Sequence, residues 1–161
     1  MKKGISVILF VCLCCGVLAG CGGKADATKL PHNSKISITD KKSDIIENDN
    51  LKTEDEITYT TQEPVKIDGN DYEVAYTFSN AEGEYIASVC YDSTSAGVEE
   101  AQKYIDSVYG ELDKDTTEGK YGPGQDGRYI IKSDDKVWTI GCFTADNGCT
   151  RILISRDATL E

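Results

Sequence analysis

Cysteine carries the most latent chemistry in this chain, and its seven copies fall into two groups. Cys12, Cys14, Cys15 and Cys21 crowd the N-terminus, whereas Cys90, Cys142 and Cys149 lie far downstream. A nucleophilic thiol needs a base to generate its thiolate, yet His32 is the single histidine among 161 residues. Nucleophile–histidine–acid catalysis and multi-histidine zinc binding are close to excluded on that count. The acids of Asp113-Lys114-Asp115-Thr116-Thr117-Glu118 alternate as calcium ligands do. However, Glu118 stands where a helix–loop–helix calcium site requires glycine, and Gly124 where it requires a bidentate glutamate. The adjacent carboxylates Asp134 and Asp135 fit a turn better than an acid–base pair. No catalytic residue, no metal ligand and no cofactor are expected.

Charge narrows the partners. Seventeen basic residues oppose 28 acidic ones, for a net charge of −11, which is the wrong sign for displacing counterions from nucleic acid. Lys2 and Lys3 precede an uncharged, mostly apolar run from residue 4 to 17. That run is too short for a bilayer core, which takes about 20 helical residues, and it has the layout of a secretory signal. Leu18-Ala19-Gly20-Cys21 then resembles the lipobox of bacterial lipoproteins, an aliphatic and two small residues before a cysteine. The resemblance implies cleavage between Gly20 and Cys21 and a diacylglyceryl group on the Cys21 sulfur, with further acylation such as palmitate. Two acyl chains anchor stably where one does not, so it further implies a protein held on the extracytoplasmic face of the cell membrane without spanning it.

The expected organisation is a signal peptide over residues 1–20, a lipidated, disordered polar tether over 21–56, and an acidic domain over 57–161. Between residues 22 and 56 only eight of 35 residues are apolar, too few on average to offset the entropy of ordering. The pairs Ile36/Ile38 and Ile45/Ile46 are expected to form at most transient structure or a docking motif, and His32 to be solvated.

In the domain, period-two alternation predicts strands at 65–67, 72–79, 84–91, 128–132, 136–144 and 149–156. Apolar residues at helical spacing from Val98 to Leu112 predict one amphipathic helix, with N-cap candidates at Ser93-Thr94-Ser95. The reading is an α+β fold, a mainly antiparallel sheet of ββαβββ order with its helix on one face. Profilin-like and PAS-like sheets, by analogy, place the first and last strands side by side at the centre. Burying one apolar face selects the pairs Tyr76/Ala87, Val74/Val89, Ile131/Trp138 and Tyr129/Ile140, and a bulged turn at Asp146-Asn147-Gly148. Cys142 then points into the core, and Cys90 and Cys149 outward. One disulfide, Cys90–Cys149 or Cys142–Cys149, is open on this count. The outer face carries Ile86, Ile130, Val137, Phe143 and Leu153, more apolar surface than water alone calls for. Tyr121, among loop glycines, is placed either to pin its loop or to stack on a ligand. Ile86, Phe143, Leu153 and Tyr121 are the expected binding surface of a non-catalytic module for an envelope protein. The alternative is an extracytoplasmic sensor of a small ligand or glycan.

Overall fold

The computed structural model describes residues 26–161 apart from 80–84, 124 and 126. The lipobox, including Gly20 and Cys21, and the expected turn at residues 81–82 lie outside the described residues. In order, the elements are β1 (Lys29–Leu30), β2 (Asn33–Ser37), α1 (Lys42–Asn48), β3 (Leu51–Thr53), β4 (Thr58–Thr61), β5 (Val65–Ile67), β6 (Asn70–Phe78), β7 (Ile86–Ser93), α2 (Val98–Tyr109), β8 (Lys114–Asp115), β9 (Arg128–Ser133), β10 (Lys136–Thr144) and β11 (Thr150–Arg156). The class is α+β, mostly antiparallel sheet, but two helices and additional strands replace the expected ββαβββ series. The main sheet runs β3-β4-β6-β7-β11-β10-β9-β8, with β5 paired to β6.

Local chemistry explains the turns. Asp68 and Gly69 both take positive φ, 48° and 85°, in the tight turn that folds β5 onto β6. This is the twist-compatible geometry that such hairpins favour. Gly148, at φ 81°, closes the β10–β11 turn, whose register pairs Ile140 with Ile154 and Cys142 with Ile152. Ile131 faces Trp138 and Tyr129 faces Ile140 across β9 and β10, as burial of one face demands. The β6–β7 hairpin departs from expectation by two residues, pairing Val74 with Tyr91 and Tyr76 with Val89. A bulge between Thr77 and Phe78 then brings Ile86 opposite Phe78. An extra residue in one strand swaps the faces beyond it. Ile86 is therefore a fully buried core residue rather than part of an outer surface, and its carbonyl accepts from Trp138 Nε1 at 3.0 Å. At the centre of the sheet, β11 lies beside β7, the second strand of that hairpin, not beside β6.

The helix α2 is N-capped by Gly97 rather than by the serines. Glu100 reaches back to the Gly97 N–H, while the Ser93 hydroxyl accepts from Ser95 and Ala96 and shapes the approach. α2 packs over β10 and β11. At 12 residues it is about 18 Å long, whereas eight strands at about 4.8 Å spacing make a sheet roughly 34 Å wide. One helix cannot cover that face.

The uncovered half is sealed by the segment read as a tether. Leu30, Ile36, Ile38 and Ile45 are buried in the same core as Tyr76, Phe78 and Tyr91, and the Lys42 ammonium sits over the Tyr59 and Phe78 rings. A disordered tether as far as residue 56 and a domain starting at 57 are corrected from residue 26 onward: residues 26–53 form an arm, β1–β2–α1–β3, that belongs to the fold. Its apolar residues are few, but nearly all of them are spent on one surface.

Candidate functional site

Three clusters of side chains have the makings of a site, and each is set by the sheet's register. On the core face, β6 and β7 present the phenols of Tyr76 and Tyr91 to the arm. The His32 side chain is 3% exposed and that of Asp49 8%. His32 Nε2 donates to Asp49 Oδ2 at 2.8 Å, and the Tyr91 hydroxyl bonds Nδ1 at 3.1 Å. Tyr76 donates to the same carboxylate oxygen at 2.6 Å, and Asn33 to its other oxygen at 3.1 Å. Burial acts to raise the Asp49 carboxyl, but the bonds from His32 and Tyr76 outweigh it and hold it below its ordinary value. Burial pushes both tyrosines far upward, so each stays a phenol and a donor. An acid, an imidazole and a hydroxyl in line are the parts of a proton relay. Here they are closed off from any substrate, and what they do is fasten arm to sheet. His32, expected from sequence to be solvated, is thus almost wholly enclosed.

A second cluster covers part of the outer face. Tyr121 donates to Asp115 Oδ2 at 2.7 Å, and Lys120 bridges Asp115 at 2.8 Å and Asp157 at 2.6 Å. The bond from Lys120 chiefly, with those from Thr117 and Tyr121, holds the Asp115 carboxyl well below the usual range. Partial burial, helped by the bond to Asp115, pushes the Tyr121 phenol up to about 12. The Arg128 guanidinium lies between the rings of Tyr121, at 4.7 Å, and Phe143, at 5.8 Å. It reaches the sheet because the residue beneath it is Gly141, where a Cβ would sit 2.8 Å from Arg128 Cγ. Tyr121 is therefore a pin for its loop, and Phe143 is half-covered by an arginine. Asp115, read as part of an acidic loop, is saturated by protein donors.

The third cluster is open. Successive strand pairings set Lys52, Thr60, Ala75, Cys90, Leu153 and Gly141 in one row across the outer face. Glu73, Asp92, Arg151 and Phe143 form the next row. Small side chains in the first row leave a groove of about 320 Å³ over β3, β4, β6 and β7, floored by Ala75 and Cys90 and walled by Glu54, Glu63, Glu73 and Asp92. A neighbouring hollow of about 290 Å³ shares Pro64, Glu73 and Asp92 and runs to Asp71, Asn147 and Cys149. Two walls are already paired, Asp92 with Arg151 at 2.6 Å and Glu54 with Lys52 at 3.4 Å. Among the described residues, no three His, Cys, Asp or Glu side chains converge as a metal site would need.

Of the expected surface, Leu153 is a half-buried member of the outer face beside Cys90. Ile86 has left for the core, and Phe143 and Tyr121 belong to the arginine stack. The Cys90–Cys149 bridge is not formed. Cys149 directly precedes β11, the neighbour of β7, but Cys90 faces Leu153, four positions from Cys149. That is roughly 13 Å along a strand, against a Cα limit of about 7 Å for a disulfide. Cys142 is free too, and it points to α2, with its thiol on Val98 and Gln102. Burial above all pushes that thiol up to about 11. Glu73 is legible in the sequence as an outer-face residue near Cys90, but its grouping with Glu54 and Glu63 is not, because these walls become neighbours only through the pairing of β3, β4 and β6. Compared with protein-family models, characterised proteins and solved structures, the chain matches none.

Proposed function

We propose that the protein is a non-catalytic bacterial lipoprotein, anchored through Cys21 on the extracytoplasmic face of the cell membrane. The folded chain binds a protein of the envelope through the outer sheet face. The observation that carries this reading is the groove: a floor of small residues under carboxylate walls, on a face that neither helix covers. A partner segment bearing lysine or arginine, with an apolar side chain on Ala75 and Cys90, complements it in charge and shape. The enclosure of the only histidine behind Tyr76 and Tyr91 favours binding over catalysis. A groove of about 320 Å³ is also in the size range of small-molecule sites, which gives a second reading, a sensor of a small cationic ligand.

Affinity capture from detergent-solubilised native envelopes separates the two. The binding-module reading predicts one protein enriched by the wild type and lost with Glu63→Lys/Glu73→Lys, two exposed positions whose reversal leaves the core alone. Equal capture by both baits would contradict the groove. No capture, together with a melting temperature raised by a polyamine, would favour the sensor.

A further inference from the structure

We propose that the outward surface of the arm β1–β2–α1 lies directly on the bilayer, so that the groove on the opposite sheet face points away from the membrane. The inference rests on the lipoprotein reading and deepens it, from an anchor to an orientation. Its first support is length. If Cys21 carries the lipid, the folded chain begins by residue 26, and five residues reach at most about 18 Å even when fully extended.

The second support is that this short link cannot grow. Unravelling the arm would expose Leu30, Ile36, Ile38 and Ile45 and would break the His32–Asp49 pair from Tyr76 and Tyr91. Third is the distribution of charge. Residues 26–53 hold five lysines and five acids, whereas residues 54–161 hold nine cations against twenty-three carboxylates. Within the arm Asp49 is buried on His32 and Asp40 accepts from the Ser37 N–H, while Asp26, Asp44 and Glu47 are exposed. Lys35 and Lys41 are exposed and Lys29 is partly so. An anionic headgroup layer repels the acidic remainder of the chain more than it repels the neutral arm, whose exposed lysines are each worth about 1 kcal/mol near the surface. The arm covers the core face of the sheet, so seating it on lipid leaves the outer face with its carboxylate-walled groove toward the cell exterior.

Trp138, the only tryptophan, reports the height. The full-length lipidated chain is placed in vesicles containing one anionic lipid in three and a trace of dansyl-headgroup lipid, and energy transfer from Trp138 is read. The expected result is strong transfer that falls at least threefold when 20 Gly/Ser residues are inserted between Gly23 and Lys24, an added reach of about 25 Å. It also falls for Lys35→Glu/Lys41→Glu, with flotation on vesicles unchanged. A lipidated, vesicle-bound wild type that transfers no better than the insertion chain, or a double variant with undiminished transfer, overturns the orientation while the anchor stands. A chain that neither gains the mass of acyl groups nor floats, and behaves as Cys21→Ser does, overturns the anchor and the orientation together.

Discussion

Asp49 serves three donors at once, from His32, Tyr76 and Asn33, and losing it strands all three inside the protein. Asp49→Ala is expected to cost about 3 kcal/mol in urea unfolding. Asp49→Asn, which keeps one acceptor oxygen, is expected to cost less; equal stability of all three proteins would show that the cluster fastens nothing. The acid limit of the fold follows from Asp49, Asp115 and Asp157, whose carboxyls are all held below their ordinary values. A depressed carboxyl contributes stability that is complete above its unfolded value, about pH 4, and is lost as the pH falls toward its folded value. The melting temperature should therefore hold down to about pH 4 and drop steeply below it. Asp115→Asn should lower it at neutral pH and shrink the acid drop. Thiol counting supplies a further check at this scale: alkylation of the unfolded, unreduced chain should modify Cys90, Cys142 and Cys149 alike. Two protected thiols would contradict the strand register that holds Cys90 and Cys149 apart.

Among the elements, those governed by local rules were legible in the sequence. The amphipathic stripe Val98–Ala101–Ile105–Tyr109 gave α2, and the Ile131/Trp138 alternation gave the β9–β10 register. The need to bury Ile152 and Ile154 selected the Gly148 turn. What depended on distant partners was not legible. The bulge at Thr77/Phe78 leaves no mark in an alternating strand, and it moved both the hairpin register and Ile86. The arm was lost to averaging, since eight apolar residues in 35 describe a tether by composition. A signal was nonetheless present. Tyr72, Val74, Tyr76 and Phe78, together with the apolar faces of the later strands, offer more surface than one helix of about 18 Å can cover, so something else had to lie on them. The groove was hidden for the same reason as the bulge, because a row across six strands exists only once their order is known. At this scale the expectation is that residues 57–161 alone, without β1, β2, α1 and β3, fail to unfold cooperatively, whereas residues 26–161 give a single sharp transition. A cooperative transition of the shorter chain would mean the arm is an accessory.

At the scale of the whole molecule, a sheet about 34 Å wide separates two unlike surfaces. One is closed by α2 and a near-neutral arm; the other carries the carboxylate-walled groove on one half and the Tyr121–Arg128–Phe143 stack on the other. On the proposed reading, attachment and recognition are kept on opposite faces, and the arm gives the arrangement its rigidity. Everything above the residue scale depends on that arm being part of the fold. Hydrogen exchange of the full-length chain tests this most directly, followed at the amides of Ile36, Ile38 and Ile45. Protection comparable to that of β6 and β7 is the predicted result, because opening the arm exposes the core that those strands share. Exchange of these three amides at the rate of an unstructured peptide, with β6 and β7 still protected, would restore the arm to a flexible tether and contradict the account.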